Sequence, residues 1–194
     1  YQKAVTAKNE RIDLFKDDIN LNIRRIVYLL VPISIFISFN SEFIIKVIFE
    51  RGKFTPETTL STAYALSVLS LSIFPGTLFG YLIRVYAAFF DRRFYYMSFI
   101  LWMVLTIIIT VALINHFPII SYPIAYLISL VIVAFITLNQ LNNKINISII
   151  FKDIIAGISL GLLFIILGAF FNKFLISIFI LLFLLIFIFK NFID

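Results

Sequence analysis

Cysteine is absent from the chain, so neither a disulfide framework nor a thiolate metal site can form. The single histidine, His116, cannot build a histidine metal site alone. Charge is scarce: 13% of residues carry one, against about 25% in a typical soluble domain. No Ser-His-Asp set, paired carboxylate or phosphate loop falls in the apolar stretches, so enzyme chemistry finds no support. The acids sit near the start (Glu10, Asp13, Asp17, Asp18) or at helix entries (Asp91, Asp153). No cofactor, metal or nucleic-acid partner is expected. An initiator Met and a leader with a small-residue cleavage site are missing too. The chain opens in polar sequence at Tyr1 and is expected to begin inside a longer protein.

What is present is apolar. Hydrophobic residues make up 62% of the chain, mean hydropathy is +1.10, and Phe occurs 24 times. Apolar runs of about 20 residues, long enough to cross a bilayer as a helix, recur along it. The runs are continuous rather than alternating, which excludes a barrel. The expectation is an all-α polytopic membrane protein of about six transmembrane helices, at roughly 22–39, 58–89, 95–115, 119–138, 150–171 and 174–190. Residues 3–20 read as an interfacial helix, with Ile12, Phe15, Ile19 and Ile23 on one face. A short amphipathic piece, 41–50, carries Phe43, Ile44, Val47 and Ile48 on one side. Six spans put both ends on one side, with eleven loop Lys and Arg there against Lys46, Arg51, Lys53 and Lys173 opposite. The positive-inside bias therefore places both ends in the cytoplasm.

One polar string separates the first two spans: Glu50-Arg51-Gly52-Lys53-Phe54-Thr55-Pro56-Glu57-Thr58. Gly52 suits a left-handed helix stop. Thr55 suits an N-cap and Pro56 the first helical position, with Glu57 complementing the helix dipole. These are turn devices, so Arg51, Gly52, Lys53, Phe54, Thr55 and Pro56 are expected to act structurally. Pro75-Gly76 and Gly80 interrupt the long second span and allow a bend or hinge. Arg84 is charged inside a span. It either faces a polar cavity and an anion or reaches back to the headgroups. Thr106, Thr110, Asn115, Tyr126 and Ser129 could line a polar path, or bond the backbone and a neighbouring helix. Gly157 and Gly161 are spaced for a close helix contact. The last two spans are apolar on every face, as expected of lipid-exposed helices.

The order of these features resembles a known family. A helix with an internal proline (Leu30-Val31-Pro32) leads to Ser41-Glu42-Phe43-Ile44-Ile45, then Ile48-Phe49-Glu50-Arg51-Gly52-Lys53-Phe54-Thr55. A Thr-rich helix start follows, and that helix ends in Ala88-Phe89-Phe90. The pattern is similar to the C-terminal lobe of the MurJ (MviN) lipid II flippases, and it is densest over residues 24–91. The resemblance implies the C-terminal part of a fourteen-helix fold of the multidrug and oligosaccharide-lipid exporter superfamily. It implies a multi-pass protein of the bacterial inner membrane. Such a protein flips an undecaprenyl-pyrophosphate-linked peptidoglycan precursor by alternating access, for cell-wall biogenesis and cell shape. The partners implied are that lipid-linked precursor, membrane lipids and an N-terminal lobe of the same protein. That lobe carries most of the family's substrate arginines, so none is carried over here. The family's last two helices form an apolar groove suited to a lipid tail.

This chain departs from the family at four places. Asp91 directly follows the aromatic pair, and Ser98 stands near an expected proline. The acid that serves the sodium site of some members is missing from 95–115. Arg84 lies one residue out of step with a basic position of the family's tenth helix. The domain expectation is 1–21 as an amphipathic juxtamembrane segment, 22–140 as four helices of a transporter lobe, and 141–194 as two accessory apolar helices. Other readings compatible with the residues are a flippase for another polyprenyl-linked oligosaccharide, a small-molecule exporter of the same superfamily, and a non-transporting membrane scaffold.

Overall fold

The computed structural model describes the backbone at residues 2–51, 54–145, 148–170 and 173–192. It describes side chains at 15–51, 54–145, 152, 154–164, 166 and 177–188. Among the described residues all regular structure is helical: α1 Gln2–Phe39, α2 Ser41–Phe49, α3 Pro56–Leu71, α4 Ile73–Phe89, α5 Arg92–Leu113, α6 Ser121–Ile145, α7 Ser148–Phe170 and α8 Lys173–Phe192. Among the described residues four stretches are long and apolar enough to cross a membrane: Phe15–Phe39, Pro56–Phe89, Arg92–Leu113 and Ser121–Ile145. The helices α7 and α8 add 23 and 20 residues, within which Ile154–Phe164 and Ser177–Ile188 are shorter, predominantly apolar stretches. The chain is thus an all-helical polytopic membrane protein.

The segment read as interfacial runs into the first span without a break: α1 is one helix of 38 residues. Ile19, Ile23, Val27, Val31 and Ile35 recur every four residues and form a single buried stripe, with Ile23 and Val27 fully enclosed. That stripe runs across the polar-to-apolar boundary and gives the helix no place to stop. Ile12 lies outside the described side chains. Phe15 is half-exposed, its ring 6.1 Å from that of Phe89. Pro32 sits inside the helix without ending it.

After Asn40, α2 packs against α3. Its Ser41 and Ile45 are buried, whereas Phe43, Val47, Ile48 and Phe49 are exposed. The apolar side seen in the sequence therefore faces outward, where lipid would meet it. The amide of Asn40 donates to Phe36 O and to Ser177 Oγ, both at 2.8 Å, and so ties this corner to α8.

The long second span is two helices. α3 ends at Leu71 and α4 begins at Ile73, with Ser72 between them. Pro75 explains the position: it has no N–H for the Leu71 carbonyl, and its ring crowds that group. Serines absorb the mismatch. The hydroxyls of Ser67, Ser70 and Ser72 each donate to a carbonyl three residues back, which tightens and bends the turn. The regular pattern resumes where Gly76 N donates to Ser72 O at 2.9 Å.

Two buried clusters hold the bundle. One runs along α1 and gathers Leu78, Leu82 and Tyr86 of α4, Leu138 and Leu141 of α6, Ile154 and Phe164 of α7, and Ile180 and Leu184 of α8. The other joins α4 to α6 through Phe79, Ile83, Leu130, Val133 and Ala134, with Trp102 of α5 against it. Lipid tails are as apolar as leucine, so close fit rather than water exclusion drives this packing. The fit is close between α1 and α7. A Cβ on Gly157 would overlap Val27, and one on Gly161 would lie 2.8 Å from Val31 Cγ1. Glycine at both positions is therefore what lets the two helices touch.

Candidate functional site

Rotation of α4 decides where its charge points. Leu78, Phe79, Leu82, Ile83 and Tyr86 are buried, so the opposite stripe, Thr77, Tyr81, Arg84 and Ala88, faces outward. Arg84 is exposed and Tyr81 half-buried. Beside this stripe runs α1, packed against α4. Asn22, Arg25, Ile26, Leu29 and Leu30 of α1 join Tyr81 around an open cleft of ≈ 380 Å³. Tyr81 lies beside Asn22 and within the field of Asp18. Arg84 is one helical turn beyond Tyr81. The lining is thus an amide, a phenol and a guanidinium, with a second guanidinium nearby. Such a set donates hydrogen bonds to a phosphate or carboxylate and offers no nucleophile or acid–base pair.

The hairpin lies far from this cleft. Some 29 residues of helix separate Thr55 from Arg84, or ~40 Å at 1.5 Å per residue. Thr55 is the N-cap of α3 and accepts from Thr58 N at 3.4 Å, with Pro56 as the first helical residue. Phe54 packs on Phe49, ring centroids 6.1 Å apart, and Arg51 is exposed. Gly52 and Lys53 lie outside the described residues. Sequence reasoning missed the tie across this turn: Thr59 Oγ1 donates to Glu50 Oε2 at 3.0 Å and to Thr55 O at 3.2 Å. Thr59 is buried. Its place one turn inside the capped helix was the only available signal.

Pro75 and Gly76 stand at the α3–α4 break, between hairpin and cleft and nearer the cleft. Gly76 faces Leu130, whose Cδ1 would be 3.2 Å from an added Cβ. Gly80 meets nothing within 4 Å, so its side of α4 is open. The polar residues of the middle helices do not line a path. Thr106 and Ser129 bond each other at 2.6 Å, buried between α5 and α6, and both also bond backbone of their own helix. Thr110 donates to Thr106 O, and Asn115 is exposed in the turn after α5. Sequence spacing aligned these residues but could not show that they satisfy one another. Among the described residues, no group of acids and histidine is placed to hold a metal.

The sequence was compared with known proteins. The family model described as "Lipid II flippase MurJ" matches residues 4–192. No curated protein and no solved structure matches the chain. The family match spans nearly the whole bundle, from α1 through the kinked pair and the cleft beside it to α8. By that match this chain belongs to the MurJ lipid II flippase family.

Proposed function

We propose that this chain forms one wall of the route by which an undecaprenyl-pyrophosphate-linked peptidoglycan precursor crosses the bacterial inner membrane. The observation that carries the reading is the exposed Arg84 beside the Asn22–Arg25–Tyr81 cleft, on membrane-spanning helices. A charge within a span is costly in lipid and is kept where a polar cavity or an anion receives it. A pyrophosphate offers that anion. The α3–α4 break supplies an interrupted helix of the kind found in alternating-access transporters. Ion coupling through α5 is not part of the proposal, because that helix has no acid and its Thr106 is occupied by Ser129. The loop charges support both chain ends in the cytoplasm, with the 50–58 hairpin outside.

The full-length protein is the object to test. Depleting it in cells lacking any redundant flippase should lower lipid II exposure on the outer leaflet; unchanged exposure overturns the reading. Arg84→Ala should reduce flipping roughly tenfold, the cost of one charge-assisted hydrogen bond, without loss of folded protein. Arg84 lies five residues before the end of α4, so full activity in that variant would instead assign it to headgroup anchoring.

A further inference from the structure

An acid stands at one end of the cleft beside Arg84. Two contacts fix the register of α1 against α4. The rings of Phe15 and Phe89 lie 6.1 Å apart, and Asn22 lines the cleft with Tyr81. Residue numbers rise along one helix as they fall along the other, so the two helices run antiparallel. Between those contacts Asp18 and Arg84 come level to within ~3 Å along the axis, at 1.5 Å per residue. Packed helix axes lie about 8–10 Å apart, and α1 packs on α4, so the two charges are neighbours.

Helix rotation turns Asp18 to the cleft. Asp18, Asn22, Arg25 and Leu29 follow at steps of four, three and four, which is one face of a helix. Asn22, Arg25 and Leu29 line the cleft. The field of Asp18 reaches Tyr81 on the opposite wall. Asp17 is exposed as well, but lies about 100° further round, away from that face. Cα–Cβ bonds tilt toward a helix N-terminus, so Arg84 leans toward Tyr81 and Asp18 toward Phe15. The carboxylate therefore stands at the Phe15–Phe89 end of the cleft. Asp18 and Arg84 form no ion pair with each other, so neither charge cancels the other by contact.

An anion on Arg84 meets attraction and repulsion together. The guanidinium draws a phosphate in, and a carboxylate about a screening length away opposes it. Cations alone would hold a pyrophosphate tightly, whereas passage through a site needs binding weak enough to end.

We infer that Asp18 sets how long the cleft holds a pyrophosphate, by weakening its hold on Arg84 so that the ligand leaves. Asp18 acts through its charge and is a positioning residue. The inference rests on the reading of the cleft as an anion site, and adds the residue that keeps occupancy brief.

Full-length protein with 3-fluorotyrosine at Tyr81 tests this, because the fluorine resonance reports on the cleft directly. Titrated with farnesyl pyrophosphate, Asp18→Asn should reach its half-shift at an about fivefold lower concentration than the parent protein. It should also flip the precursor more slowly. High salt should narrow the difference in midpoint. Asp17→Asn removes the same charge one residue away and should match the parent in both measurements, as should Asp18→Glu. A damaged fold does not produce a gain of affinity. Equal midpoints for Asp18→Asn and Asp17→Asn would overturn the proposal and leave the anion reading of the cleft standing. Weaker binding in Asp18→Asn would overturn it too, and make the acid a ligand for a cation that accompanies the pyrophosphate. No shift at Tyr81 in any variant would instead remove the anion reading itself, and this inference with it.

Discussion

Two spans of this bundle carry a proline well inside them, and only one of them breaks. In α1, Pro32 removes a hydrogen bond to the Tyr28 carbonyl, yet the helix runs on to Phe39. In the second span, Pro75 coincides with the end of α3 at Leu71 and the restart at Ile73. The difference is in what surrounds each ring. Pro32 is fully buried, flanked by Val31 and Ser34 in the seam against other helices, and α7 presses against α1 through Gly157 and Gly161. Pro75 is preceded by three serines that bond back into their own turn and is followed by glycine. Proline loosens a helix, and neighbouring packing decides whether it yields.

The strongest way to break this comparison is to remove the clamp on α1. Gly157→Leu places side-chain atoms where Val27 already sits. It should cost about 1–3 kcal/mol by overpacking, lower the thermal midpoint of the purified protein, and expose α1 to proteolysis near Pro32. Val27→Ala in the same chain should recover part of the loss, which separates steric overlap from a general effect of leucine. A smaller effect is expected from the prolines themselves. Pro75→Ala should straighten the second span, read as a longer distance between spin labels at Tyr64 and Ala88. It should slow flipping with little loss of folded protein, whereas Pro32→Ala should leave both nearly unchanged. Equal behaviour of the two variants would show that the serines and not the proline set the break. The smallest effect is expected at the hairpin. Thr59→Val removes the hydroxyl that reaches Glu50 and should cost about 1–2 kcal/mol, seen as a lower thermal midpoint with unchanged transport.

Much of this architecture was legible in the residues. Long apolar runs announced the spans, and Thr55-Pro56 announced the start of α3, because capping chemistry is local. Gly157 and Gly161 announced a close helix contact, though not that α1 would be the partner. Three things were not legible. The continuity of α1 depended on a buried stripe crossing the polar boundary, and burial of Ile19 is decided by helices far away in sequence. The outward face of α2 followed from where the bundle left room, since an amphipathic pattern does not say which side meets protein. The cleft beside Arg84 required knowing that α1 lies next to α4, a matter of topology that no spacing encodes. The Thr106–Ser129 pair shows the converse: residues that aligned as a path in sequence turned out to consume each other's hydrogen bonds.

The attachment of the last two helices has a mechanical consequence. Among the described residues, α7 and α8 pack extensively on α1 and on each other, and on no other helix. They hang from α1 as a door hangs from a post. Their remaining faces are left to the membrane, so the fit of this pair to the rest of the molecule depends chiefly on α1.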